Sequence, residues 1–127
     1  MHKKWAIALL AATAVAAWSN VTLAAGDPAK GKKVFNKCKA CHSIDEKKNK
    51  IGPYLVGIFG RKAGSVEGFK YSSAMKESGI VWDEETLAKY VANPKNVVPG
   101  NRMAFAGLKK EADIENLLAY LKEATAQ

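Results

Sequence analysis

Cysteine and histidine are scarce in this chain, two of each among 127 residues, and the scarcity narrows what the thiols can be for. A closed structural zinc site takes four Cys or His ligands. With His2 in the leader, Cys38, Cys41 and His42 fall one short. No segment reads convincingly as a β-strand, so a thioredoxin-type dithiol lacks its strand-helix-strand setting. There are no repeats, no low-complexity tracts and no recognisable nucleic-acid motif. Acidic residues are also in deficit, 12 against 20 Lys and Arg, for a formal net charge of +8. Basic balance of this kind permits an acidic protein, an anionic membrane or nucleic acid as partner.

The informative residues that are present are Cys38-Lys39-Ala40-Cys41-His42. C-x-x-C-H is the spacing at which two thiols and an imidazole reach one haem. Cys38 and Cys41 can add to the vinyl groups as thioethers, and His42 can offer its imidazole to the iron from the same turn of chain. A plain dithiol or disulfide is the competing reading, and motif and context together favour covalent haem.

The start of the chain reads as an export signal. His2, Lys3 and Lys4 make a positive start, Trp5 to Trp18 is apolar, and Thr22-Leu23-Ala24 offers small residues for cleavage after Ala24 or Ala25. An uncleaved anchor competes, but Ser19, Asn20 and Thr22 interrupt its end. Either way, the remainder is expected outside the cytoplasm, in the periplasm, where oxidised thiols are tolerated. Removing residues 1–24 takes the charge from +8 to +6 and leaves one small domain, 25–127. A domain of that size buries only roughly 60 to 70 per cent of the surface its unfolded chain exposes. A covalently held macrocycle would supply the missing apolar mass.

Short helices joined by long loops are expected. Asp27-Pro28 reads as an N-cap with proline in the first turn, opening a helix that runs to about Lys39. Glycines at 52, 57, 60, 64 and 68 argue for an irregular loop over 43–70. A short helix is expected at Ser72 to Glu77, and another capped by Asp83 and stopped by Asn93-Pro94. Ile114, Leu117, Leu118 and Leu121 give the last helix its apolar stripe, with Lys109, Lys110, Glu111, Asp113, Glu115 and Lys122 on its wetter positions. The inventory is all-α, three or four helices wrapped around something the sequence does not contain.

Several segments, in order, resemble the small soluble class I cytochromes c, close to the mitochondrial protein and its bacterial relatives. They include Gly-Lys-Lys-Val-Phe at 31–35, the haem motif, Gly-Pro-Tyr-Leu at 52–55, Gly-Arg-Lys-Ala-Gly at 60–64, Gly-Ile-Val-Trp at 79–82, Asn-Pro-Lys at 93–95, Pro-Gly-Asn-Arg-Met-Ala-Phe-Ala-Gly at 99–107 and Leu-Leu-Ala-Tyr-Leu at 117–121. The resemblance implies a cytochrome c fold around one covalent haem c, with Met103 as the sixth iron ligand opposite His42. It implies that the Pro53 carbonyl orients the His42 ring, that Arg61, Tyr71 and Trp82 help satisfy the propionates, and that Tyr90 lies near the methionine sulfur. It also implies a close contact of Gly31 and Phe35 with Leu117 and Tyr120. Met75 is expected to be packing. The stretch from His42 to Pro53 is one residue shorter than in mitochondrial relatives and lacks their second histidine, which leaves its local bonding open.

These readings converge on an electron carrier rather than an enzyme: a soluble monomer making one-electron outer-sphere transfers. Methionine ligation and a dry pocket would both raise its potential. Lys32, Lys33, Lys37, Lys39, Lys95, Arg102, Lys109 and Lys110 are expected to ring the haem edge and steer acidic partners such as an oxidase, a reaction centre or a quinol-oxidising cytochrome complex. Transient contact with a membrane surface fits the same charge; nucleic acid does not fit an exported protein. The rival reading is a haem enzyme or gas-binding protein with a displaceable sixth ligand.

Overall fold

The computed structural model describes residues 26–127. The proposed leader, its cleavage point and the anchor alternative lie outside the described residues. The chain forms α1 (Pro28–Phe35), α2 (Ser73–Glu77), α3 (Glu84–Ala92), α4 (Pro94–Val97) and α5 (Glu111–Ala124). Among the described residues there is no named strand, only an isolated antiparallel bridge between Lys62 and Val81. None of the helices there is long and apolar enough to cross a membrane.

α1 begins where its sequence says it should. Asp27 accepts from the Ala29 amide at 2.8 Å, and Pro28 occupies a first-turn position where an N–H has no helical partner. The Asp27 amide in turn donates to the Asn116 side chain at 2.8 Å, tying the start of α1 to α5. The two helices cross at Gly31, where an added Cβ would run into the Asn116 backbone and lie 2.7 Å from the Tyr120 Cβ. Phe35 and Tyr120 close the contact with ring centroids 5.7 Å apart. On α5, Leu117, Leu118 and Leu121 are buried, as the apolar stripe predicts.

Two boundaries differ from the sequence reading. α1 stops at Phe35 rather than near Lys39; the chain beyond it tightens into turns, with the Cys38 amide bonded to the Phe35 carbonyl at 2.8 Å and the Cys41 amide to the Cys38 carbonyl at 3.1 Å. These i→i+3 bonds wind more tightly than an α-helix. Asn93-Pro94 does end α3, but it also starts a further turn, α4, giving five helices among the described residues where three or four were expected. Asn93 caps it by accepting from the Asn96 amide at 3.2 Å, and proline, unable to continue one helix, suits the first turn of the next.

α3 carries a reciprocal cap: Asp83 accepts from the Thr86 amide and Thr86 Oγ1 accepts from the Asp83 amide, each at 2.8 Å. The Thr86 amide and, at 3.0 Å, the Thr86 hydroxyl both donate to the Asp83 carboxyl and hold it below its usual range. Ahead of this helix, the 60–63 segment pairs with 80–82; the Trp82 amide donates to the Arg61 carbonyl at 2.8 Å. After it, Leu108 donates to the Val91 carbonyl at 2.8 Å, and Gly107, at φ +112°, packs where any side chain would meet the Ala92 carbonyl. The segment entering α3 is thereby held to 60–63, and the loop after it to α3 itself.

Candidate functional site: a thiol, imidazole and thioether cavity

A cavity of about 320 Å³ opens in the core between these elements. Cys38, Cys41, His42, Pro53, Arg61, Tyr71, Trp82, Tyr90 and Met103 all line it, so every predicted site residue is brought to one place. The volume is at the small end of roughly 300–1,000 Å³ for ligand pockets.

The attachment motif enters from the turns after α1. The His42 amide bonds the Cys38 carbonyl at 3.0 Å, which keeps the imidazole within a turn of both thiols. Burial pushes the Cys38 thiol up, as does Cys41 beside it, against a smaller opposing pull from Lys37. The His42 Nδ1 lies 2.7 Å from the Pro53 carbonyl oxygen. A carbonyl can only accept, so Nδ1 carries the proton and Nε2 keeps its lone pair, the form an imidazole ligand needs. Burial holds the His42 pKa below its usual value, with the Pro53 bond opposing and the Lys50 charge assisting, so neutral imidazole is favoured.

Gly52 escaped attention except as a loop breaker, yet it is part of the site. A Cβ there would lie 2.7 Å from Nδ1 and 2.9 Å from Nε2 of His42, so only glycine lets this backbone close on the ring. Asn101 was missed altogether. Its side-chain oxygen accepts from the Met103 amide at 2.8 Å, while its nitrogen donates to the carbonyls of Pro94 at 2.9 Å and Val98 at 2.8 Å. An asparagine just after Pro99-Gly100 is a turn-forming signal that could have pointed to it.

The polar residues of the wall differ in how far their groups are committed. Arg61 donates to the carbonyls of Tyr54 at 2.8 Å and Val56 at 2.5 Å, and lies 5.0 Å from the Tyr54 ring centre. Tyr71 Oη accepts from the Val66 amide at 3.1 Å, leaving its own proton to donate. Trp82 and Tyr90 pack with ring centroids 5.0 Å apart and planes tilted by 50°, and burial pushes the Tyr90 phenol up to about 12. Met75 also lines the cavity and packs against the core, in keeping with a packing role.

The short loop before Pro53 finds its bonds without a second histidine. Asn49 accepts from the Tyr54 amide and donates to the Glu67 carbonyl, both at 3.3 Å. Of the cations expected around the mouth, Lys37 and Arg102 line the cavity; Lys32, Lys33, Lys39, Lys95, Lys109 and Lys110 are exposed away from its lining. Lys70, not anticipated, joins them there.

Residues 28–125 match the Cytochrome c family. The chain is 57% identical over 88 residues to cytochrome c2 iso-2 of Magnetospirillum fulvum, covering 69% of this chain and 92% of the relative. It is 49% identical over 118 residues to cytochrome c-554 of Methylosinus trichosporium, covering 92% and 89% respectively. In three dimensions it resembles cytochrome cH from Methylobacterium extorquens with a TM-score of 0.73 at 43% identity, over 77% of this chain and 99% of that one.

A helical shell around thiols, imidazole and thioether, matched over nearly all of the described chain, defines a class I c-type cytochrome fold. The chain belongs to the cytochrome c family; it is an electron-transfer protein rather than an enzyme, and its C-x-x-C-H segment is the attachment point of one haem c. The residues present fit that group. Two thiols stand ready for thioether links, a neutral imidazole has its lone pair free, and Gly52 leaves the ring just room enough.

Proposed function

We propose that this protein is a soluble periplasmic carrier whose haem iron is held by His42 and Met103, passing single electrons between acidic redox proteins. The observation that carries the reading is the 2.7 Å bond from His42 to Pro53, which frees Nε2 in the cavity that Met103 also lines. The bound haem supplies a one-electron couple at its iron. The chain's part is to attach that group through Cys38 and Cys41, keep both axial donors in place and exclude water. Leu55, Ile58, Leu87, Leu117 and Leu121 make the surrounding wall apolar, which disfavours the extra positive charge of the oxidised state. Arg61, Tyr71 and Trp82 are the donors proposed for the propionates, and Tyr90 the neighbour of the thioether.

Docking is proposed at the cavity mouth. Ile51, 79% exposed, lines the cavity, as do the cations Lys37, Lys70 and Arg102. An exposed apolar side chain and cations on one rim suit an acidic partner face with an apolar centre. Export follows from the leader, with cleavage after Ala24 or Ala25 leaving the domain from residue 25 or 26 onward; the bacterial cytochrome c2 relatives support that setting.

The deciding experiment is spectroscopic. Oxidised mature protein should show the weak far-red band of thioether ligation, and the reduced form should decline carbon monoxide. Ready binding of carbon monoxide or cyanide would leave the gas-binding or enzymatic alternative standing instead. Redox titration should find a clearly positive midpoint, and N-terminal sequencing should place the cleavage.

A further inference from the structure

Residues 50–53 form a strap laced to the attachment motif. The Gly52 amide donates to the Cys41 carbonyl at 2.8 Å, and the Lys50 amide donates to the Gly52 carbonyl at 3.0 Å. The Pro53 carbonyl receives the His42 ring proton at 2.7 Å. These bonds set the height and tilt of the imidazole, because Gly52 packs directly on the ring. A further link is made by a long side chain: the Lys50 ammonium donates to the Lys39 carbonyl, inside the C-x-x-C-H segment, at 2.9 Å. Lys50 is otherwise exposed, so burial does not bring its stem across the motif. The same geometry sets a positive charge beside the ring, where it acts against any added positive charge.

We propose that Lys50 is a positioning residue for His42: its ammonium clasps the strap to the motif and raises the midpoint potential beyond what a loose surface lysine would do. The inference rests on His42 being the iron's nitrogen ligand. Two effects act in opposite directions. The fixed charge disfavours the oxidised iron, whereas the clasp keeps the Pro53 bond on the ring, which makes the imidazole a stronger donor and favours it. Salt screens the first far more than the second.

The test uses haem-loaded mature protein with Lys50→Met, Lys50→Arg and Lys47→Met, the last an exposed lysine of the same loop. Midpoint potentials are measured at low and high ionic strength, and hydrogen exchange of the Gly52 amide is followed by NMR. Lys50→Met should lower the midpoint at low ionic strength, shifting the equilibrium with a fixed reference couple by about threefold, and the shift should vanish or reverse in high salt, where only the loosened Pro53 bond remains. It should also speed Gly52 exchange about tenfold. Lys50→Arg, which keeps charge and donor, should restore both, and Lys47→Met should alter neither. The clasp is overturned if Lys50→Met leaves potential and exchange unchanged, or if Lys47→Met lowers the potential equally. Failure of the underlying reading would look different: the unaltered protein would itself lack imidazole ligation, whatever the variants did.

Discussion

The side chain of Asn101 holds the Met103 amide at 2.8 Å and reaches back with its nitrogen to the carbonyls of Pro94 and Val98. One asparagine thus ties the loop bearing the thioether to α4. The loop carrying Met103 lies between α4 and α5 without helical support, so its geometry depends on this side chain. Asn101→Ala would leave an amide and two carbonyls with fewer partners, at a cost of about 1–3 kcal/mol. Urea unfolding should show that loss, and under the proposed ligation by Met103 the far-red absorption of the oxidised protein should weaken.

Gly31 sits where α1 meets α5. Alanine is the better helix former by about 1 kcal/mol, so local propensity alone predicts that Gly31→Ala stabilises. The Asn116 backbone occupies the space a Cβ would need. The crossing should therefore win, with a net loss of about 1–3 kcal/mol from overpacking, seen as a lower denaturant midpoint.

Tyr90 supplies a pH dependence. Burial pushes its phenol from the usual 10.0 up to about 12, so the folded state resists ionising it. Its contribution to stability is whole below pH 10, where the unfolded chain also keeps the proton, and is lost as pH rises through about 12. In ultraviolet titration the last phenol to ionise should vanish in Tyr90→Phe, and that variant should lose less stability between pH 10 and 12 than the parent.

Preventing haem attachment tests how far cofactor and core are one object. Buried Leu87 of α3 and Leu117 and Leu121 of α5 line the same cavity as the two thiols. A Cys38→Ser, Cys41→Ser chain should show much weaker far-ultraviolet helical circular dichroism and no cooperative thermal transition. Full retention of both would mean that the helices pack without the macrocycle.

Charge at the mouth should govern the speed of electron exchange more than its driving force. Arg102→Glu and Lys37→Glu should each slow second-order reduction or oxidation by a bacterial quinol-oxidising complex at low salt. The difference from the parent should shrink above ionic strengths of about 0.1 M, where the screening length is near 10 Å. Stopped-flow rates across a salt series provide the check.

Much of this molecule could be read before any coordinates. Asp27-Pro28, Asp83 with Thr86, and the leucines of α5 act over one or two turns, so local rules locate their helices. The haem motif is equally local, five consecutive residues whose spacing is itself the chemistry. Pro53, Arg61, Tyr71, Trp82, Tyr90 and Met103 came instead from resemblance, since no period or spacing links residues so far apart. Asn49, Gly52, Lys70 and Asn101 escaped because each owes its importance to a neighbour distant in space or to a backbone group that the sequence does not display. α4 escaped because a proline signals an ending before it signals a start.

The amino-acid sequence by itself determined the attachment chemistry, the basic charge and the existence of the capped helices, all of them properties of a few adjoining side chains. Only the tertiary structure decided that Gly52 must be a glycine, that Asn101 anchors Met103 and that Lys50 crosses to Lys39. The reason is that these depend on how closely two backbones approach, which is settled when the loops close around the core.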